Sequence, residues 1–134
     1  MSIVTDVAKI ENISTSGYLA NETLATSQYC VVVPAGASTG KVKVGLPSGQ
    51  GVLPFGVVQN TPASGEVAEV MTQGITLVKA NSTFNSGVEL TIAATTGKVE
   101  AASAADYVIG IAREAAGAAN QLVSMEIRFY QKNA

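Results

Sequence analysis

Gly36-Ala37-Ser38-Thr39-Gly40-Lys41-Val42 is the stretch of this chain that comes nearest to a known chemical motif. A phosphate-binding loop needs four residues between its glycines, so that successive amides wrap the phosphates, and a Ser or Thr after the Lys to hold magnesium. Here three residues separate the glycines, and Val42 stands in the metal-binding place. The stretch suits a hairpin loop, and nucleotide binding is not expected. Glu66 and Glu69 could suggest a carboxylate pair, but residues three apart on a strand point to opposite faces. The chain has no histidine and a single cysteine, Cys30. It therefore lacks the ligands of a structural zinc site and the base of a Ser-His-Asp or Cys-His group. A carboxylate-only hydrolase remains formally open. The expectation is no catalytic residue, no cofactor and no metal; the chain is not an enzyme.

Composition points the same way. Charged residues are 13% of the chain, about half the usual ~25% of soluble proteins, while apolar residues are 47%. Much of that apolar share is alanine, so the surface is low in charge and built of small side chains. Such a surface is weakly defended against association and suits being covered by copies of itself or by a partner. The net charge of −2 and the scattered Lys and Arg residues give no electrostatic case for nucleic acid. Cys30 has no partner for an internal disulfide and sits in the apolar run Tyr29-Cys30-Val31-Val32-Val33, as a small buried hydrophobe would. No basic region and long apolar stretch open the chain, and no run approaches the ~18 apolar residues of a membrane span. Synthesis in a cytoplasm and no membrane partner are expected. Without a secretion signal, the sequons at Asn12, Asn21 and Asn81 are chance matches.

The elements that carry these residues are short and mostly extended. At 134 residues the chain is long enough for one domain with its own core. Ser2 to about Asn21 stands apart as an N-terminal arm, with residues 22–134 as the β-domain. Ile3, Val7, Ile10 and Ile13 fall at helical spacing, against their β-branched character. Burying four such side chains yields at most roughly 6–12 kcal/mol. Fixing some twelve residues of backbone costs about 12–24 kcal/mol. The arm thus needs a receiving surface.

In the body, Lys41–Leu46 alternates as a half-buried strand after a turn-forming loop at Pro34–Gly40, and Phe55–Gln59 follows. Glu66–Met71 and Ile75–Lys79 are expected as two strands joined by a turn at Thr72-Gln73-Gly74. Val88–Ile92, Lys98–Ala101 and Tyr107–Arg113 come next, with one helical turn at Ala101–Ala105. The last strand is the clearest. Val123, Met125, Ile127 and Phe129 form its inward face, while Glu126 and Arg128 share the outer one. The fold class is all-β: a small sandwich or barrel of about eight short strands with an N-terminal arm.

Several positions carry a family resemblance: Pro34-Ala35-Gly36, Phe55-Gly56-Val57, Gly65-Glu66 with Val70, Gly74-Ile75, and Ile109-Gly110-Ile111-Ala112-Arg113-Glu114-Ala115 with Gly117. From about Leu24 to Phe129 the chain resembles the small capsid decoration, or cement, proteins of tailed bacteriophages. The resemblance implies an all-β domain on the outer surface of the virion head. It implies the major capsid protein as partner, self-association as a homotrimer, and stabilisation of the shell against packaged DNA. The longer arm and an insertion at Gly45–Pro54 depart from the pattern. Ile3, Val4, Val7, Ile10 and Ile13 are the candidate subunit or capsid contacts. Two other readings stay open. One is a carbohydrate- or host-surface-binding sandwich using Tyr18, Tyr29 or Tyr130. The other is a tail-tube or fibre-base subunit.

Overall fold

Val31, Val33 and Val57 turn to one side of their sheet and Val32 and Val58 to the other, yet all five are buried. Two neighbouring strands are therefore covered on both faces, and the rest of the fold exists to cover them. The computed structural model describes residues 11–49 and 52–133, with side chains from Thr15 onward. The nine strands among these described residues are β1 (Glu11–Leu19), β2 (Val31–Ser38), β3 (Lys41–Gly45), β4 (Gly56–Val58), β5 (Val67–Lys79), β6 (Glu89–Ile92), β7 (Val99–Ala101), β8 (Tyr107–Ala112) and β9 (Leu122–Gln131). They form one sheet in the order β3-β2-β4-β5-β9-β8-β6-β7, with β1 added along β5. All ladders between strands are antiparallel. The all-β expectation holds, in the form of a sheet curled into a half-barrel.

Met71 pairs with both Thr15 and Val57, and Ile75 with both Glu11 and Glu126. It follows that β1 lies along one edge of β5, while β4 and β9 follow each other along the opposite edge. β5 is common to two halves of like design. In the first, β1-β5-β4-β2-β3 curls until Ala20 meets Val44; in the second, β5-β9-β8-β6-β7 curls until Ala80 meets Val99. The registers agree pair for pair. Leu19 opposite Val67, Tyr18 opposite Ala68 and Thr15 opposite Met71 recur as Lys79 opposite Leu122, Val78 opposite Val123 and Ile75 opposite Glu126. Loop geometry recurs too: Tyr29 N–H to Val58 O matches Gly87 N–H to Ala112 O, with φ of 64° at Tyr29 and 82° at Gly87.

The two halves join through their cores. Ala20, Leu24, Val32, Val44, Val58, Ala68 and Val70 fill the first half. The outward residues of that half, Val31, Val33, Val57 and Met71, pack into the larger core with Ile92, Ile109, Met125 and Ile127. Two main-chain bonds mark the seam: Lys79 N–H to Tyr29 O at 3.1 Å and Val31 N–H to Gly97 O at 2.7 Å.

Four details differ from the sequence expectation. Thr72-Gln73-Gly74 does not reverse the chain: β5 runs through it as one strand, and Gly74, at φ 117°, lets it bend from one set of neighbours to the next. Pro34–Gly40 is not all loop, because β2 continues through a bulge to Ser38. There Thr39 and Gly40, with φ of 49° and 79°, make a two-residue hairpin turn. Ala101–Ala105 forms no helical turn. Within the arm, residues 11–19 are extended in β1 rather than helical, so the helical spacing fails at Ile13. Ile3, Val4, Val7 and Ile10 lie outside the described residues.

One core assignment is also corrected. Val123, Met125 and Ile127 are buried, but Phe129 is 41% exposed. Gly110 pairs with Ile127 and Val108 with Tyr130, so β9 carries one more residue than β8 across this interval. That bulge breaks the alternation, and Phe129 turns outward. Ile127→Ala is accordingly expected to destabilise by about 2–5 kcal/mol. Phe129→Ala and Arg128→Ala should each stay below about 1 kcal/mol. Denaturant melts of the three variants decide it, and a Phe129 effect as large as that of Ile127 would refute this register.

Candidate functional site

With so few groups able to do chemistry, the site to look for is a docking surface. β1 and β3 meet at Ala20 and Val44, and ahead of that bridge a groove of about 530 Å³ opens between Gly17–Leu19 and the β2–β3 hairpin. Leu19 and its cross-strand neighbour Val67 are 38% and 54% exposed and line it with Val42. Lys41 and Lys43 line it as well, giving an apolar groove with a positive rim. The stretch that mimics a phosphate loop is therefore the hairpin bordering this groove.

A second, smaller apolar hollow of about 250 Å³ lies where β9 passes β8, lined by Leu53, Tyr107, Phe129 and Tyr130 among others. Beside it, charge is neutralised internally. Arg113 reaches Glu126 at 2.6 Å and Arg128 reaches it at 3.1 Å. The Tyr130 hydroxyl donates to Glu89 at 2.5 Å, and Lys132 pairs with Glu89 at 3.1 Å. Hydrogen bonds from Arg113 and then Arg128 hold the Glu126 carboxyl below its ordinary range. Those from Tyr130 and then Lys132 do the same for Glu89, while the Glu89 carboxylate pushes the Tyr130 phenol up.

A lowered folded-state pKa means stabilisation that is present above the usual glutamate range and is lost as pH falls through the lowered value. At a solvated surface the effect is small. A carboxyl-detected titration should place Glu126 below the ordinary glutamate range, and Arg113→Ala should move it back toward that range. An unchanged titration in the variant would show that Arg113 does not set it.

The other candidates have structural places. Cys30 is buried without a disulfide, and burial pushes its thiol pKa up, partly offset by Lys79 and Lys98. Tyr18 packs edge-on against Phe55 at 4.8 Å, while Tyr29 serves the seam through its carbonyl. Glu66 accepts the Ala63 N–H at 2.7 Å and Glu69 is exposed, so they form no paired site. Among the described residues no three His, Cys, Asp or Glu side chains gather as a metal site would require, and no helix is long and apolar enough to cross a membrane. Of the arm contacts, only Ile13 falls within the described backbone, at a bulge in β1 between Asn12 and Ser14. Sequence reasoning missed Leu19, Val67 and the groove. The available signal was Ala20-Asn21-Glu22-Thr23 recurring as Ala80-Asn81-Ser82-Thr83, which marks the duplicated closure.

Comparison with known proteins agrees with this architecture. No curated protein matches the chain in sequence. In fold it is similar to the head fiber gp8.5 N base of bacteriophage phi29, with a TM-score of 0.68 at 19% identity, over 86% of this chain and 93% of that one. In sequence it matches the phage cement protein family over residues 19–128, from the last residue of β1 into β9. That match spans most of the chain, and the chain belongs to the phage cement proteins, structural proteins of the virion that decorate the capsid.

Proposed function

We propose that this cement protein sits on the outer surface of the phage head, bound to the major capsid protein as a homotrimer. It acts by binding alone, catalysing no reaction and using neither cofactor, nucleic acid nor membrane. The family match over residues 19–128 carries the reading. The two exposed apolar hollows and the low charge of the chain support it, since both suit protein contact. A trimer presents equivalent contacts at once, so weak contact per copy becomes firm attachment through effective concentration. Because the protein binds only the assembled shell, binding raises the stability of that state. Ile3, Val4, Val7, Ile10 and Ile13 belong to the contact with the capsid or a neighbouring copy.

The test uses heads that lack the protein. Added chain is expected to bind saturably in multiples of three and to raise the temperature at which heads release DNA. Heads that take up none of it would end the reading. Fold likeness to the phi29 head fiber N base favours a second reading, in which the domain is the base of a fibre. Electron microscopy of decorated heads separates the two, as compact knobs or as knobs bearing fibres.

A further inference from the structure

We propose that the groove between β1 and β3 is a strand-acceptor slot, filled in the assembled protein by residues 1–10 of a second copy. The second half of the domain shows how such a slot is filled. There the segment at Tyr29–Val31 lies between β5 and the approach to β7, accepting the Lys79 N–H and giving the Val31 N–H to Gly97 O. Register for register, Lys79 corresponds to Leu19, and Gly97, two residues before the closing Val99, corresponds to Val42, two before Val44. Both Leu19 and Val42 line the groove.

Strand alternation aims their main-chain groups into it. Ala20 gives its N–H to Glu66 O at 2.9 Å on the β5 side, so the Leu19 N–H, one residue earlier, points to the opposite edge. Val44 O accepts the Asn21 N–H at 2.8 Å, so the Val42 carbonyl, two residues earlier, points the same way, toward β1. The first half thus presents a donor and an acceptor in the places where the second half has both satisfied by a passing chain. Among the described residues, no segment lies between them.

Residues 1–10 suit the groove in chemistry. Ile3, Val4 and Val7 match an apolar groove, and Asp6 matches its lysine rim. Delivery from a second copy follows from reach. Glu11 starts β1 about 26 Å from Leu19, at ~3.3 Å per residue. To reach the groove within its own chain, the segment before Glu11 would have to reverse and run back the whole length of β1. A neighbour's segment can lay its whole apolar run across the groove. The inference rests on the reading above, that the protein works as several copies.

Full-length variants in a Cys30→Ala background test it. One set carries Ile3→Cys, Val4→Cys or Thr5→Cys, and the other carries Val42→Cys. Mixed and oxidised, they should give chains linked in pairs, with the yield alternating along the three arm positions as a strand requires. Leu122→Cys, the second-half counterpart of Val67, should give none. Absence of linkage at every arm position overturns the proposal, as does linkage that forms only inside single chains of an Ile3→Cys/Val42→Cys double variant. Val67→Glu gives an independent measure: self-association at least tenfold weaker at an unchanged melting temperature, with Leu122→Glu without effect. Equal effects of the two also overturn it. Head binding by the unaltered protein is scored beside these. Heads that bind while no link forms sink the slot alone, whereas heads that do not bind sink the cement reading itself.

Discussion

A chain lacking residues 2–20 is expected not to fold, whereas one lacking residues 2–10 should melt within about 3 °C of the full protein. The difference is β1. It covers one edge of β5 from Val67 to Ile75, and its end contributes Tyr18 and the fully buried Ala20 to the first core. Removing it strips that ladder, opens the closure at Val44 and exposes Val70 and Leu24, which are fully buried in the intact domain. Losses of this kind amount to several kcal/mol, on the order of the whole 5–15 kcal/mol that holds a typical domain. Circular dichroism melts of the two truncations decide the matter. A cooperative transition in the shorter chain would mean that β1 is dispensable, and that everything before residue 21 is an arm.

Gly110→Ala is expected to lower stability by about 3 kcal/mol or more, a fall in melting temperature of about 10 °C. A Cβ there would lie 2.3 Å from the Glu126 carbonyl oxygen and 2.7 Å from the Met125 side chain, in a buried strand paired with β9. Backbone cannot yield as a flexible side chain does, so β8 and β9 must separate. Gly56 holds the same place in the first half, where a Cβ would meet Val70 at 2.4 Å and Met71 O at 2.7 Å. Gly56→Ala should therefore be comparably damaging. Gly117→Ala is the control, since the nearest atom stands 3.5 Å away at Gln121. Its melt should differ little from that of the parent. A Gly110 variant as stable as the Gly117 variant would show that the strands part at little cost.

What the sequence revealed and what it concealed have one cause. Alternation is a local property, so β3, β4, β6, β7 and β8 were legible to within a residue or two from Lys41, Phe55, Val88, Lys98 and Tyr107. Phe129 was misplaced because a bulge is set by the partner strand, and β9 alone carries no sign that β8 is one residue short. Gly74 reads as a turn in the sequence because a positive-φ glycine serves a bend or a reversal equally well. Which one results depends on β4 and β9 waiting along the same edge. The duplication hid behind loops of unequal length: Ser38 and Lys41 flank a two-residue turn, while Ile92 and Val99 flank a longer one. The groove was invisible for the same reason, being formed by two strands distant in sequence.

Because β5 is a wall of both halves, the chain has no smaller unit that could open by itself. Loss of either core withdraws one edge or one end of the same thirteen-residue strand, so thermal unfolding is expected as a single event with partly melted forms scarce. Amides at the centre of β5 then exchange with solvent only through complete unfolding, and a load applied at one half is carried into the other along a continuous strand. Folding bears the other side of this arrangement. The closures of Ala20 on Val44 and of Ala80 on Val99 both wait on one strand that must find partners on each edge, which makes for slow assembly of a domain that is hard to take apart piecemeal.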